Sequence, residues 1–429
     1  MKKRLLCLLG LVALLAACNA QENQNLITSD QTPERVVNLF SPMEKVEADT
    51  ENVARTAADL TVAMAEEKLG LTVAYRTYTA EDYQDKTYDD VTLERVRSNM
   101  DDLYLLNPDT IQILGAEGAL LDLSSLSCTE NLRQVVKTAN TVDGKLVAIP
   151  QEVVAHGLFV NQDLFDQYDL PLPETPEDLL ACCKVFQENG FDTPIGANRW
   201  WLENFVFAIA YADLYNGGNT EAEIAALNSG ERKYSDYMRP GFEFLKTLID
   251  LGYIDAEKAY VSEAIEGEGP DFLAQKTPIV MAYWGAANSE TSYGKPDFNL
   301  KVIGFPSSRG PMPIVSMTGY GIGAKAEHLE DAKQFLDTIL SDEALQVYTE
   351  TNKVISPSKN VAVDCIPALK PLNDRIEENI YVLGSNAGMN VEQWGNTCLI
   401  VRELLNGASV DDCMAAFDQL QADALTGQA

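Results

Sequence analysis

Few residues in this chain have both the type and the spacing to do chemistry. There are two histidines, His156 and His328, and eight cysteines: Cys7, Cys18, Cys128, Cys182, Cys183, Cys365, Cys398 and Cys413. Their spacings match no zinc-binding pattern, so no metal and no other cofactor is expected. Cys182 and Cys183 fall in an apolar helical stretch, where a thiol acts as a small buried hydrophobe. In an oxidising location a disulfide among Cys365, Cys398 and Cys413 is open, and spacing alone does not pair these with one another or with Cys128, Cys182 and Cys183. An enzyme needs a nucleophile, a base or a metal. No G-x-S-x-G, HExxH or phosphate-cradling glycine loop occurs. A glycosidase needs two carboxylates at a fixed separation, and among 65 acidic residues nothing marks out such a pair. Catalysis is therefore not expected.

Cys18 stands apart. Lys2, Lys3 and Arg4 precede an apolar run from Leu5 to Leu15. That run is too short to span a bilayer and of the length of a signal-peptide core. It ends in Leu15-Ala16-Ala17-Cys18, and the text from Asn19 to Thr32 turns polar at once. The pattern is similar to the lipobox of bacterial lipoproteins, in which the thiol takes a diacylglyceryl group and becomes the mature N-terminus. Residues 1–17 are thus expected to be a signal peptide, Cys18 the lipid-attachment site, and residues 18–34 a lipidated flexible tether. The expected location is the extracytoplasmic face of a bacterial cell membrane.

The formal net charge is −33 and becomes more negative when the three basic residues of the leader are removed. Such a field repels nucleic acid and anionic surfaces, so no nucleic-acid partner is expected. The chain is 46% hydrophobic and 23% charged, as in a soluble globular protein. Some 410 mature residues exceed what one core accommodates, and two or more lobes follow.

Periodicity then outlines the elements. Val36–Phe40 reads as a buried strand. A helix over residues 51–69 follows, with Val53, Ala57, Leu60 and Met64 on one face, and Gly70 stops it. Leu71–Tyr75 is a second strand, Leu93, Val96 and Met100 mark a further helix, and Thr110–Leu114 reads as a third strand. This alternation implies βαβ units and a largely parallel sheet. Asp143-Gly144 signals a hairpin. Thr175-Pro176-Glu177-Asp178 starts a helix that buries Leu179, Cys182 or Cys183, and Phe186. Further helices are expected near 240–251, 329–340 and 342–349, with strands at 278–283 and 300–303. The late strands suggest a chain that crosses back to complete its first sheet.

Several segments, in order, resemble the family 1 extracellular solute-binding proteins, the carbohydrate-type binding lipoproteins of ABC importers. They are the run from Asp143 to Pro150, Gly157 to Phe165, Pro171 to Leu180, Phe272 to Met281, Gly319 to Ile322, and Asp331 to Gln346; Pro108-Asp109-Thr110-Ile111 before Gly118 to Leu123 joins them. Departures are Val160 for the family's tyrosine, Gln162 for its lysine, Pro176 for its tryptophan and Gln275 for its glycine. The likeness covers about residues 95–358. It implies an α/β, two-lobed periplasmic-binding-protein-like fold, with hinge crossovers and a ligand cleft between the lobes. Lobe 1 would take residues 35–151 plus about 300–340, and lobe 2 residues 152–299 plus about 341–429.

The function it implies is capture of a small solute, a sugar or oligosaccharide, by lobe closure, and delivery to ABC permease subunits. The rival readings are the binding subunit of a surface sensor and a secreted glycosidase. Sugar binding calls for aromatic faces and convergent polar groups. Trp200 and Trp201 lie where the family places a cleft aromatic, with one of the two expected in the core. Tyr283-Trp284 ends a strand at its other aromatic position. His156 lies in the crossover, Ser41 and Glu44 follow the first strand, Glu117 follows the expected third strand, and Tyr320 lies near the second crossover. Trp394 and the acidic pairs Asp89-Asp90, Asp101-Asp102 and Asp411-Asp412 read as packing and solvated surface.

Overall fold

The computed structural model of the protein describes residues 35–45, 56–83, 86–262, 269–284, 296–362 and 367–427. The expected leader, Cys18, the tether and Cys365 lie outside these residues. In chain order the strands are β1 (Val36–Ser41), β2 (Thr72–Thr77), β3 (Leu103–Leu106), β4 (Thr141–Val142), β5 (Lys145–Leu146) and β6 (Val154–Asn161). They continue with β7 (Ile195–Gly196), β8 (Ile279–Trp284), β9 (Leu300–Ile303), β10 (Ile314–Ser316), β11 (Gly319–Ile322) and β12 (Val382–Leu383). Strands β4 and β5 form the expected hairpin, turned by Asp143 and Gly144 at φ 49° and 76°.

The first sheet has the order β11-β3-β1-β2. Strand β1 runs parallel to β2 and β3, and β11 closes the edge antiparallel to β3. A parallel pair needs a crossover, which the helix Ala57–Leu69 supplies. Thr56 and Asp59 form a capping box at its start, and Gly70, left-handed at φ 61°, ends it. Its buried stripe holds Ala57, Thr61, Val62 and Ala65, whereas Leu60 and Met64 are only half-buried. Val62 and Ala65 pack with Val37, Leu39, Phe335 and Leu336. The other face of the sheet packs Phe40, Tyr104 and Leu106 against Val91, Val96, Ile111 and Leu114.

Two expectations in this region need correction. The third strand is Leu103–Leu106; Thr110–Leu114 belongs to the helix Pro108–Ala116. Pro108 starts that helix, and Ile111 and Leu114 are buried at helical spacing, a signal that a short apolar run shares with a strand. Asp101 and Asp102 are buried, not solvated. Asp101 pairs with Arg95, and Asp102 accepts hydrogen bonds from the amides of Asn38 and His328.

The second sheet runs β12-β10-β6-β8-β7, with β9 also paired to β6. The first half of β6 pairs with β10 and the second half with β9, both antiparallel. At the junction stands Gly157, where a Cβ would meet the Ile303 carbonyl oxygen at 2.2 Å, so only glycine lets the strands approach. Leu300–Ile303, expected to begin the return to the first sheet, thus belongs to the second. The return is made by Gly319–Ile322. One face of the second sheet carries Leu158, Val160, Ile279 and Met281, covered by the helices Pro176–Glu188, Glu203–Ala210, Tyr234–Asp250, Trp394–Leu405 and Val410–Thr426. The first of these has its Thr175/Asp178 capping box and buries Leu179, both cysteines and Phe186. Cys128, Cys182, Cys183, Cys398 and Cys413 are free thiols, so Cys398 and Cys413 are not joined.

The chain passes between the sheets through adjacent segments. Residues 150–153 lead from the first sheet to β6, and Met317-Thr318 lead from β10 to β11. They run side by side, with Ile149 paired to Tyr320 and Val154 to Ser316. A third passage follows the helix Asp342–Asn352, where Ile355 pairs with Val153.

Candidate functional site

The passages emerge at the edge of the first sheet where β1 and β3 end, at Ser41 and Leu106, and where β11 begins opposite Leu106. Loops at the carboxyl ends of strands face a crevice in open α/β sheets. In the second sheet the start of β6 and the end of β8 meet the same passages, since Ala155 pairs with Trp284 and His156 with Tyr283. The candidate cleft therefore lies between these two edges.

On the second-sheet side three rings gather. His156, on β6, lies 5.5 Å from Trp201 and 5.0 Å from Trp394, centroid to centroid. Phe207 backs Trp394 at 6.0 Å. Each ring has a separate anchor. Trp201 sits in the turn after β7, where its amide donates to the Asn198 carbonyl and its own carbonyl accepts from the Asn204 side chain. Trp394 is the first residue of the helix Trp394–Leu405, and the preceding Gln393 accepts a hydrogen bond from the Tyr211 hydroxyl. Gly384 makes room for the indole, since a Cβ there would approach it to 2.7 Å. Burial lowers the pKa of His156 to about 3, so the imidazole is neutral at physiological pH.

Beside the passages, on the first-sheet side, is a cavity of about 460 Å³ lined by Pro42, Met43, Gln151, Glu152, Tyr320 and Tyr348 among others. The Tyr320 hydroxyl donates to Gln151 Oε1 (3.2 Å), and the Gln151 amide donates to Thr61 (2.9 Å). The Tyr348 hydroxyl donates to Glu152 (3.4 Å). Burial raises the pKa of the Tyr320 phenol, which stays a neutral donor.

The candidates from sequence fall into three groups. His156 and Trp201 join the ring cluster and Tyr320 lines the cavity, all three at the candidate cleft. Tyr283 and Trp284 end β8 at its edge, and their side chains lie outside the described residues. Trp200 turns the other way from Trp201: it is 42% exposed, with the Arg199 guanidinium 5.0 Å above its ring. Ser41 is buried and its hydroxyl accepts from the Met43 amide, which shapes the loop. Glu44 is exposed in that loop. Glu117 does not follow β3. It caps the far end of the helix Pro108–Ala116 and pairs with Arg97; at the end of that helix nearer β3, the first turn carries Asp109, which accepts a hydrogen bond from the Asn386 amide. Trp394, read as packing, packs on Phe207 and also joins the ring cluster. Its signal in sequence was a lone tryptophan beginning a C-terminal helix. Gln151 and Glu152 carried no signal beyond lying next to a crossover. Among the described residues no group of histidine, cysteine and acidic side chains is placed to hold a metal.

Solved structures of other proteins share this fold. The apo-form of RafE from Streptococcus pneumoniae superposes with a TM-score of 0.72 at 15% identity, covering 92% of this chain and 98% of that one; RafE is also known in complex with raffinose. The sugar-binding protein MalE from Xanthomonas citri gives 0.70 at 13% identity, covering 92% and 98%. A chitin oligosaccharide binding protein gives 0.70 at 18%, covering 92% and 100%. These likenesses show a mixed α/β, two-lobed periplasmic-binding-protein-like fold. No curated protein matches the sequence. Residues 51–346 match the profile of the bacterial extracellular solute-binding proteins, and the chain belongs to that family.

Proposed function

We propose that this protein captures an oligosaccharide by closing its lobes on it and delivers it to the membrane-spanning subunits of an ABC importer. The observation that carries this reading is the ring cluster of His156, Trp201 and Trp394. Flat apolar faces suit the C–H surfaces of a sugar ring, and the amide and hydroxyl groups of Gln151 and Tyr320 suit its hydroxyls. The neutral imidazole adds no charge to this wall. The names of the structural neighbours, which include raffinose and chitin-oligosaccharide binders, support the same ligand class. Closure follows from contact with both lobes at once, which only the closed form allows. We read the chain as a binder without turnover. The lipid on Cys18 would hold it beside its permease, since a lipobox anchor carries more than one acyl chain.

The test is a thermal-shift panel on the delipidated chain. An oligosaccharide is expected to raise the melting temperature, because a ligand that binds only the folded state stabilises it. A shift with amino acids, peptides or polyamines alone would overturn the sugar assignment. Hydrolysis of the bound sugar, lost in a single Asp or Glu variant, would overturn the reading of a binder. Cys18→Ser should release the protein from the membrane and leave ligand binding intact.

A further inference from the structure

Beside the cleft a hydrogen bond joins the two sides of the molecule. The Asn386 amide donates to Asp109 Oδ1 at 2.9 Å. Asp109 stands in the first turn of the helix Pro108–Ala116, which packs on the first sheet, and Asn386 follows β12 of the second. The connection continues from Asn386. Its side-chain oxygen accepts from the Gln393 amide (2.7 Å), and the Gln393 side chain donates to the Val391 carbonyl (2.7 Å) and accepts from Tyr211. Gln393 directly precedes Trp394. The loop that delivers this tryptophan is thus tied at one end to the helical core of its own side and at the other to a carboxylate of the opposite side.

The surroundings of that carboxylate are unfavourable to its charge. Burial weighs most, and Glu392 in the Trp394 loop and Asp89 on the helix Tyr88–Arg97 add repulsion; the Asn386 amide favours the charge, and the balance holds the pKa above the usual carboxylate value. Tyr215, on the helix Ala212–Asn216, faces it with a phenol whose own pKa burial raises. The adjoining groove is lined by the uncharged side chains Gln112, Thr138, Thr141 and Asn216.

We propose that Asp109 is a cross-lobe latch, a positioning residue that sets the Trp394 loop on closure and makes closure easier as the medium turns acidic. The idea rests on the reading of a lobe-closing binder. Parting the lobes would take Glu392 and Asn386 away from Asp109 and admit water, which returns its carboxyl toward ordinary behaviour. The joined form therefore binds the proton more tightly than the parted form. By linkage, proton uptake favours the joined form, and ionised Asp109 opposes it at neutral pH. The hydrogen bond itself survives, because a protonated carboxyl keeps an accepting carbonyl oxygen.

The Asn386 amide reports the latch directly, without any ligand. Its hydrogen exchange, corrected for intrinsic rate, is measured on the full mature chain and on Asp109→Asn and Asp109→Ala from neutral pH down through the carboxylate range to about pH 4. The native chain should show a several-fold rise in protection on acidification. Asp109→Asn keeps the acceptor and loses the charge, so it should be highly protected at every pH. Asp109→Ala should be poorly protected and independent of pH. Equal protection in the native chain and Asp109→Ala would overturn the latch, as would protection that falls on acidification. If Asp109→Ala does not fold, the native and Asp109→Asn profiles still decide: two profiles of the same slope overturn the proposal. A failed sugar panel would sink the proposed ligand and leave this measurement standing, and a failed exchange test would leave the panel standing.

Discussion

The two walls of the candidate cleft are built by different means. The second-sheet wall presents rings seated on a large helical core, with Phe207 behind Trp394 and Gly384 cleared to admit the indole. The first-sheet wall presents loops and polar groups already engaged with the protein: Tyr320 with Gln151, Gln151 with Thr61, and Ser41 with its own turn. A ring face gives up only water when a ligand covers it. A bonded hydroxyl must exchange one partner for another, and the net gain is about 0.5–1.5 kcal/mol. The rings should therefore supply most of the affinity, and the hinge-side groups should fix orientation.

The largest effect that tests this contrast is expected from Trp394→Ala. With the sugar that the panel identifies, titration calorimetry should show a loss of about 2–4 kcal/mol, as for a truncated central aromatic anchor. Trp201→Ala should act in the same direction. Full affinity in both variants would invert the comparison. Next in size is a stability effect confined to the aromatic wall. The folded pKa of His156, about 3, lies below its unfolded value near 6.5, so its contribution is complete above that value and is lost as pH falls. Denaturant melts should show about 2 kcal/mol lost to this residue between pH 6.5 and pH 5. The difference between the native and His156→Gln profiles isolates it, and parallel profiles would show that the imidazole is not held neutral.

How legible each wall was from sequence follows from the same contrast. Caps and turns are local, and Thr175-Pro176, Gly70 and Asp143-Gly144 all did what their residue types dictate. Strand membership is not local. Leu300–Ile303 reads as a strand on its own, but its partner β6 lies well over a hundred residues earlier, and only the tight approach at Gly157 shows why it joins the second sheet. The misplaced third strand put the candidate at Glu117, the far end of the helix from Asp109, because an apolar run as short as Thr110–Leu114 suits both periods. Trp201 was reached by resemblance and His156 by its place in the crossover; Trp394 was reached by neither, since packing against Phe207 and lining a candidate cleft leave the same mark in sequence. Asn386 could not be found at all, for its bond to Asp109 runs through the backbone amide, which nearly every residue type carries.

The smaller effects probe the first-sheet wall. Tyr320→Phe keeps the ring and removes the hydroxyl that Gln151 receives, so Gln151 Oε1 loses that donor beside the cavity. A loss of about 1 kcal/mol in affinity is expected, the range of one neutral hydrogen bond. A loss matching that of Trp394→Ala would mean that the hinge-side groups drive binding. Smallest of all should be Glu117→Gln. Its partner Arg97 is half exposed, and a solvated pair of this kind contributes about 0.5 kcal/mol or less to stability. Nothing ties it to the cleft, because the helix that begins at Pro108 carries Glu117 to its opposite end. Affinity should therefore stay unchanged while the melting temperature moves slightly. A loss of binding in this variant would place the crevice at the wrong end of that helix, and Asp109 with it.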